Sequence, residues 1–287
     1  MIWSDMFFVN AGGGDYYQVP ADYEWPEEEK PDRSVTLVYW DYEGHDRERY
    51  ARMARLHRKL TDQVCFAGAA WIWNGLAPNY AKALDASRAA FEGIREAGVS
   101  DTFLTLWLDN GAETPMETGL PMLAAYSAYM YGKVPDKEKM EQVMKGLFGV
   151  SWDDFCLLDA FDHIPGTGEH NEKFANPSKT IFYQDPLVGI FDRQFEDLEL
   201  EGYYRDLAGR LENAEERNGK MRGLFHYYRL LAAADAAKST LGTRNPVLLS
   251  ERRQRDLEKN CFRRAAGIDP DNPGVEKRAG TDLDEGI

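Results

Sequence analysis

The sequence predicts an α/β protein in which four βα units, forming an open parallel sheet or part of a (β/α) barrel, precede a helical region. Two observations carry this. Short apolar runs alternate with amphipathic helical stretches through the first 119 residues, which is the βαβ signature. Past Gly119 the strand signals stop and only helical periodicity continues.

The elements follow in order. Ile2-Trp3-Ser4-Asp5-Met6-Phe7-Phe8 comes directly after Met1, with no charged leader or signal-peptide pattern, and reads as the first strand. After a Gly-rich, acidic loop from Gly12 to Asp32, Val35-Thr36-Leu37-Val38-Tyr39-Trp40 has the apolar, partly β-branched character of a buried parallel strand. Tyr50, Met53, Ala54, Leu56 and Leu60 fall near helical spacing, predicting a helix over residues 46–60. Val64-Cys65-Phe66-Ala67-Gly68-Ala69-Ala70 is the third strand. Residues 79–97 form an Ala-rich helix closed by Gly98, and Thr102-Phe103-Leu104-Thr105-Leu106-Trp107 is the fourth strand. Helices are expected at 120–131, 137–148, 152–161, 203–217 and 219–241. The chain thus divides into a sheet unit at 1–132, a helical domain at 133–244 and a charged, irregular tail at 245–287.

Composition excludes several classes of function. Lys plus Arg is 34 against 49 Asp plus Glu, and a net charge of −15 repels phosphate backbones, so no nucleic-acid partner is expected. No apolar run approaches the roughly 20 residues that cross a bilayer, so no membrane partner is expected either. Cys65, Cys156 and Cys261 are odd in number and far apart, which fits a reducing, cytoplasmic setting. The histidines His45, His57, His163, His170 and His226 show no metal-ligand spacing. Gly12-Gly13-Gly14 lacks the strand-to-helix context of a dinucleotide loop, and no Gly-x-Ser-x-Gly elbow or phosphate loop is present. No metal and no cofactor are expected. The stretch from His163 to Glu172 reads as a surface loop.

In parallel α/β folds the chemistry lies at the C-terminal ends of strands. Those ends carry Trp3 and Asp5, then Tyr39-Trp40-Asp41-Tyr42, then Trp71-Ile72-Trp73-Asn74, then Trp107-Leu108-Asp109-Asn110 with Glu113 beyond. Five of the seven tryptophans sit there, which one shared mouth explains better than scattered core packing. Indoles cover the C–H face of a pyranose while Asp and Asn bond its hydroxyls, so the set reads as a sugar pocket. Singly, each Trp also fits core packing, and Asp5, Asp41, Asp109 and Glu113 also fit helix caps or ion pairs.

The motifs Ile2-Trp3-Ser4-Asp5-Met6, Val38-Tyr39-Trp40-Asp41-Tyr42, Phe66-Ala67-Gly68-Ala69-Ala70-Trp71-Ile72-Trp73-Asn74-Gly75, Ala77-Pro78-Asn79-Tyr80 and Leu106-Trp107-Leu108-Asp109-Asn110-Gly111-Ala112-Glu113-Thr114 together resemble strands five to eight of a family 20 glycoside hydrolase, an exo-β-N-acetylhexosaminidase. The resemblance continues through Asn176-Pro177-Ser178-Lys179 and Tyr183-Gln184-Asp185-Pro186-Leu187, covering about residues 1 to 244. It implies a partial (β/α)8 TIM barrel, about strands five to eight, followed by an α-helical domain. It also implies removal of terminal GlcNAc or GalNAc from an amino-sugar oligosaccharide or glycoconjugate. In that family the 2-acetamido oxygen attacks the anomeric carbon, helped by an Asp-Glu pair ending the fourth barrel strand. Here the only consecutive Asp-Glu is Asp284-Glu285 in the tail, so no catalytic residue is assigned. By resemblance Trp107 and Asp109 hold the sugar's outer hydroxyls, although many relatives have Trp-x-Glu there. Trp3, Trp40, Trp71 and Trp73 supply an aromatic cage, and Tyr42 or Tyr39 the phenol that bonds the acetamide.

Three readings follow: a barrel fragment inactive alone, a non-catalytic carbohydrate-binding protein, or an independent glycosidase using Asp41, Asp109 or Glu113. Four strands leave two open sheet edges, which predicts poor solubility or self-association; the helical region is a further candidate for homodimer contacts. The tail departs from the family's helical continuation, as a slip of reading frame near Arg244 and Asn245 would produce, and an independent read of the DNA tests this.

Overall fold

The computed structural model describes residues 1–109, 111–167, 176–186, 188–195 and 197–244. The expected irregular tail from residue 245, and Cys261 with it, lie outside the described residues, as do residues 168–172 of the loop expected from His163 to Glu172. The described residues form an α/β structure with one four-stranded sheet. Strands β1 (Ile2–Trp3), β2 (Leu37–Trp40), β3 (Val64–Ala69) and β4 (Asp101–Thr105) lie side by side in chain order, every pair parallel.

The first expected strand is shorter than its apolar run. Only Ile2 and Trp3 pair with β2, and helix α1 (Asp5–Ala11) starts at once. Hydrophobicity alone does not separate a strand from a buried helical turn; here Phe8 goes fully into the core while Met6 is left in solvent. Helix α2 (Arg47–Leu60) links β2 to β3 and is capped by Asp46, whose side chain accepts from the Glu48 N–H. Helix α3 (Tyr80–Glu96) links β3 to β4 and is capped by Asn79 through the Lys82 N–H. The two helices cross closely at Gly93, where a Cβ would stand 2.4 Å from the Arg47 carbonyl oxygen.

A run of helices follows: α4 (Leu120–Met130), α5 (Lys137–Phe148), α6 (Trp152–Cys156), α7 (Pro177–Tyr183), α8 (Asp192–Phe195), α9 (Leu200–Arg217) and α10 (Arg222–Arg244). The helix expected over 152–161 tightens to a 3-10 turn from Leu157 onward, and α7 and α8 fall where no helix is expected.

Two cores result. One lies between the sheet and its helices, built from Phe8, Leu37, Tyr39, Tyr50, Met53, Phe66, Phe91 and Ile94. The other joins Trp71, Ile72 and Tyr80 to Phe155, Phe161, Tyr204, Leu211, Phe225 and Tyr228, and so contains residues from both sides of residue 132. The sheet is curved. Trp3 on β1 meets Phe103 of β4 at 6.1 Å between ring centroids and Trp107 at 5.8 Å, although two strands separate them.

Candidate functional site

That curvature gathers the strand ends around a cleft of about 400 Å³. Trp3 and Asp5 follow from β1; Trp40, Tyr42 and Glu43 from β2; Trp73 from beyond β3; Trp107 and Asp109 from beyond β4. The aromatic side chains form a continuous belt. Trp40 and Tyr42 lie 5.3 Å apart, Tyr42 and Trp73 5.6 Å, and Trp73 stacks on Trp71 at 4.4 Å. Trp40 is fixed at its edge by its Nε1–H, which donates to Asp5 Oδ1 at 2.7 Å, and on its face by the Tyr16 ring at 5.1 Å.

The belt turns at Trp71, which takes a left-handed conformation with φ of 53°. For a bulky residue this is strain of about 1–3 kcal/mol that neighbours must hold in place. They do so from several sides. Trp71 Nε1–H donates to the Tyr42 carbonyl at 2.6 Å, the Trp71 carbonyl accepts from the Asn79 N–H at 2.9 Å, and Lys82 Nζ sits 4.2 Å from the ring centroid. The chain thereby presents Trp73 to the cleft while Trp71 stays buried behind it.

Seven of the residues expected at the mouth therefore line the cleft: Trp3, Asp5, Trp40, Tyr42, Trp73, Trp107 and Asp109. Four do not. Tyr39 alternates away from Trp40 into the helix-side core, against His57 at 4.7 Å and Phe66 at 5.2 Å. Asp41 is buried and held by Arg49 in a two-point pair at 2.7 and 2.9 Å, and it accepts from the Glu43 and Gly44 N–H groups. Burial still raises its pKa, with Arg49 acting against that. Trp71 backs the belt. Asn74 lies off the cleft, its carbonyl accepting from Asn176 Nδ2 at 2.9 Å.

Glu113 turns to α7 instead, pairing with Lys179 and accepting from the Tyr183 hydroxyl at 2.7 Å; the Lys179 hydrogen bond holds its pKa below the usual value. Glu43 and the supporting Tyr16 were not singled out from the sequence. Glu43 lies one residue past the Tyr42 strand end, the signal that finds it; Tyr16 lies in a loop and carries no such signal.

Electrostatically the cleft has one sign. Asp5, Glu43 and Asp109 are its charged lining, with no Lys, Arg or His among the lining residues. Burial raises the Tyr42 pKa, and the Asp5 and Asp109 carboxylates push the same way, so the phenol stays protonated as a donor. Among the described residues no group of three or more His, Cys, Asp or Glu side chains is arranged to hold a metal ion. A second groove of about 420 Å³ beside α6 and α9 has its charges already paired, Arg217 with Asp154 and Lys137 with Asp153.

Residues 153–261 match the model of the Glycoside Hydrolase 20C C-terminal domain. The match supports a relation to glycoside hydrolase family 20. It covers the helical region from α6 onward, ends beyond residues 244 and 245, and lies outside all the cleft residues. No curated protein matches the chain.

Proposed function

We propose that this chain carries the sugar-holding wall of an exo-β-N-acetylhexosaminidase barrel, about strands five to eight, and binds terminal GlcNAc or GalNAc without cleaving it. The observation that carries the reading is the cleft: five aromatic side chains with three carboxylates, all from the C-terminal ends of neighbouring parallel strands. Aromatic faces favour the apolar face of a pyranose, and carboxylates accept from its hydroxyls. The Glycoside Hydrolase 20C match in the same chain supports the family.

The chemistry of hydrolysis needs more than this wall provides. In the substrate-assisted retaining mechanism the acetamide oxygen attacks the anomeric carbon while an acid protonates the leaving oxygen. On this reading the Tyr42 phenol donates to the acetamide, and Trp107 with Asp109 holds the far side of the ring. The consecutive Asp-Glu pair that would orient the acetamide and move the proton has no counterpart on the four strands. Loss of the general acid and base alone forfeits about 10²–10⁴-fold in rate.

The test is calorimetric titration of the chain with GlcNAc, GalNAc and glucose, alongside release of nitrophenol from the aryl β-N-acetylglucosaminide. Binding of the N-acetyl sugars over glucose, abolished by Trp107→Ala and unaccompanied by turnover, is the expected result. Equal binding of glucose makes the cleft a general carbohydrate-binding site. Turnover that disappears in Asp109→Asn makes it an independent two-carboxylate glycosidase. Heat from no sugar overturns the reading.

A further inference from the structure

Behind the Trp40 wall, three polar side chains meet inside an otherwise apolar core. Ser4 and His57 are wholly buried and Tyr16 nearly so. His57 Nδ1 lies 2.7 Å from the Met53 carbonyl on the same helix, α2. A carbonyl only accepts, so Nδ1 carries the proton; burial pushes the imidazole down to about 3, leaving it neutral with Nε2 as acceptor. Ser4 Oγ stands 2.8 Å from Nε2 and 3.0 Å from the Tyr16 hydroxyl. The bonds then run one way. The Tyr16 O–H donates to Ser4 Oγ, the Ser4 O–H donates to His57 Nε2, and the His57 Nδ1–H donates to the Met53 carbonyl. Phe8 stacks on the imidazole at 4.0 Å and fixes its plane.

The relay ends at the cleft. Ser4 occupies the capping position of α1 yet makes no side-chain cap; its hydroxyl lies against His57 and Tyr16 instead. The next residue, Asp5, accepts from Trp40 Nε1, and the Tyr16 ring lies under Trp40 at an angle of 12°. The contact at the edge of Trp40 thus comes from the residue next to Ser4, and the stacked contact on its face from Tyr16, a member of the relay; Tyr42 also touches the ring, at 5.3 Å.

We propose that Tyr16, Ser4 and His57 are positioning residues, which act through Asp5 and the Tyr16 ring to set the orientation of Trp40 in the cleft. The consequence for affinity rests on the sugar-site reading above, whereas the orientation of Trp40 does not. A relay that serves only to hold the fold predicts lost stability with an unchanged Trp40.

The experiment uses the full chain labelled with 5-fluorotryptophan, with the Trp40 resonance assigned by Trp40→Phe and Trp152, in the other core, as internal reference. Ser4→Ala and Tyr16→Phe are expected to shift or broaden the Trp40 fluorine signal while leaving that of Trp152 in place. GlcNAc affinity should fall about fivefold, the usual effect of one lost buried hydrogen bond. Ser4→Thr, which keeps the hydroxyl, is expected to restore both. An unchanged Trp40 signal in either folded variant overturns the proposal, as does a uniform change at every tryptophan. Should Ser4→Ala fail to fold, Tyr16→Phe decides, since it removes one hydroxyl and keeps the ring. If the unaltered chain binds no amino sugar, the cleft reading fails while the fluorine spectra still decide the positioning.

Discussion

Asp235 on α10 is fully buried, and neither of its carboxylate oxygens has a hydrogen-bond partner among the described residues. Burial pushes its pKa up to about 8, and nearby Asp162 adds to the effect. Asp162 is itself raised to about 7 by burial, moderated by the Ser178 hydroxyl at 2.7 Å and the Ser178 N–H at 3.1 Å. Both folded values lie above the ordinary carboxyl value, so the folded state holds protons that the unfolded chain releases from about pH 4 upward. Their contribution to stability is complete below pH 4 and declines as pH rises through 7 and 8. Asp235→Asn removes one of the two, and thermal melts should show a shallower loss of stability between pH 5 and 8 than in the unaltered chain. An equal slope would sink the assignment. His57 works in the opposite sense. Its folded value of about 3 lies below the ordinary histidine value, so it destabilises the fold as pH falls from about 6.5 toward 3, by at most about 1.4 kcal/mol per pH unit. His57→Gln should flatten the acid limb of the same melts.

At the scale of elements, α2 and α3 depend on the bare Cα of Gly93, since a methyl there would meet the Arg47 carbonyl and the Ala51 nitrogen, both backbone atoms. Gly93→Ala should destabilise the chain by about 1–3 kcal/mol by forcing the helices apart, read as a lower denaturant midpoint. A midpoint equal to or above that of the parent chain contradicts the close crossing. These two helices were legible in the sequence because each buries a single face, and their caps at Asp46 and Asn79 mark where they begin. α1 was not legible, because a run containing Met6, Phe7 and Phe8 satisfies a strand and a buried helical turn alike. The strand ends gather at one cleft, but not every residue on them reaches it. Alternation along β2 lets only one of Tyr39 and Trp40 reach the cleft, and the bond that removes Asp41 comes from Arg49 in the next helix, a pairing that spacing does not announce. The left-handed turn at Trp71, which decides that Trp73 rather than Trp71 faces inward, depends on tertiary contacts from Tyr42, Asn79 and Lys82.

For the molecule as a whole, β1 and β4 each have one strand neighbour among the described residues, and Ile2 and Trp3 on the outer strand are 44% and 41% exposed. Unpaired edges of this kind recruit further strands. A net charge of −15 opposes the approach of a second copy, and salt screens that repulsion. Light scattering after size-exclusion chromatography should therefore show association that grows with protein concentration and with ionic strength. A monomer under all conditions would show that the edges are protected. The same charge reaches into the cleft, whose charged lining residues are all carboxylates, so sulfated or uronic sugars should bind more weakly than neutral ones, by a margin that narrows as salt is added. The curved sheet has an optical consequence too. Trp3 and Trp107 are brought together at 45° and Trp71 and Trp73 at 29°, close enough for the excited states of each indole pair to couple. Tilted pairs of identical chromophores in a chiral arrangement split their absorption into bands of opposite circular dichroism, so the folded chain should show a couplet that vanishes on unfolding. Because Trp3 and Trp107 belong to the two ends of the sheet, their share of that signal reports its curvature directly, and any partner that opens the sheet would announce itself as a loss of ellipticity before a single sugar is added.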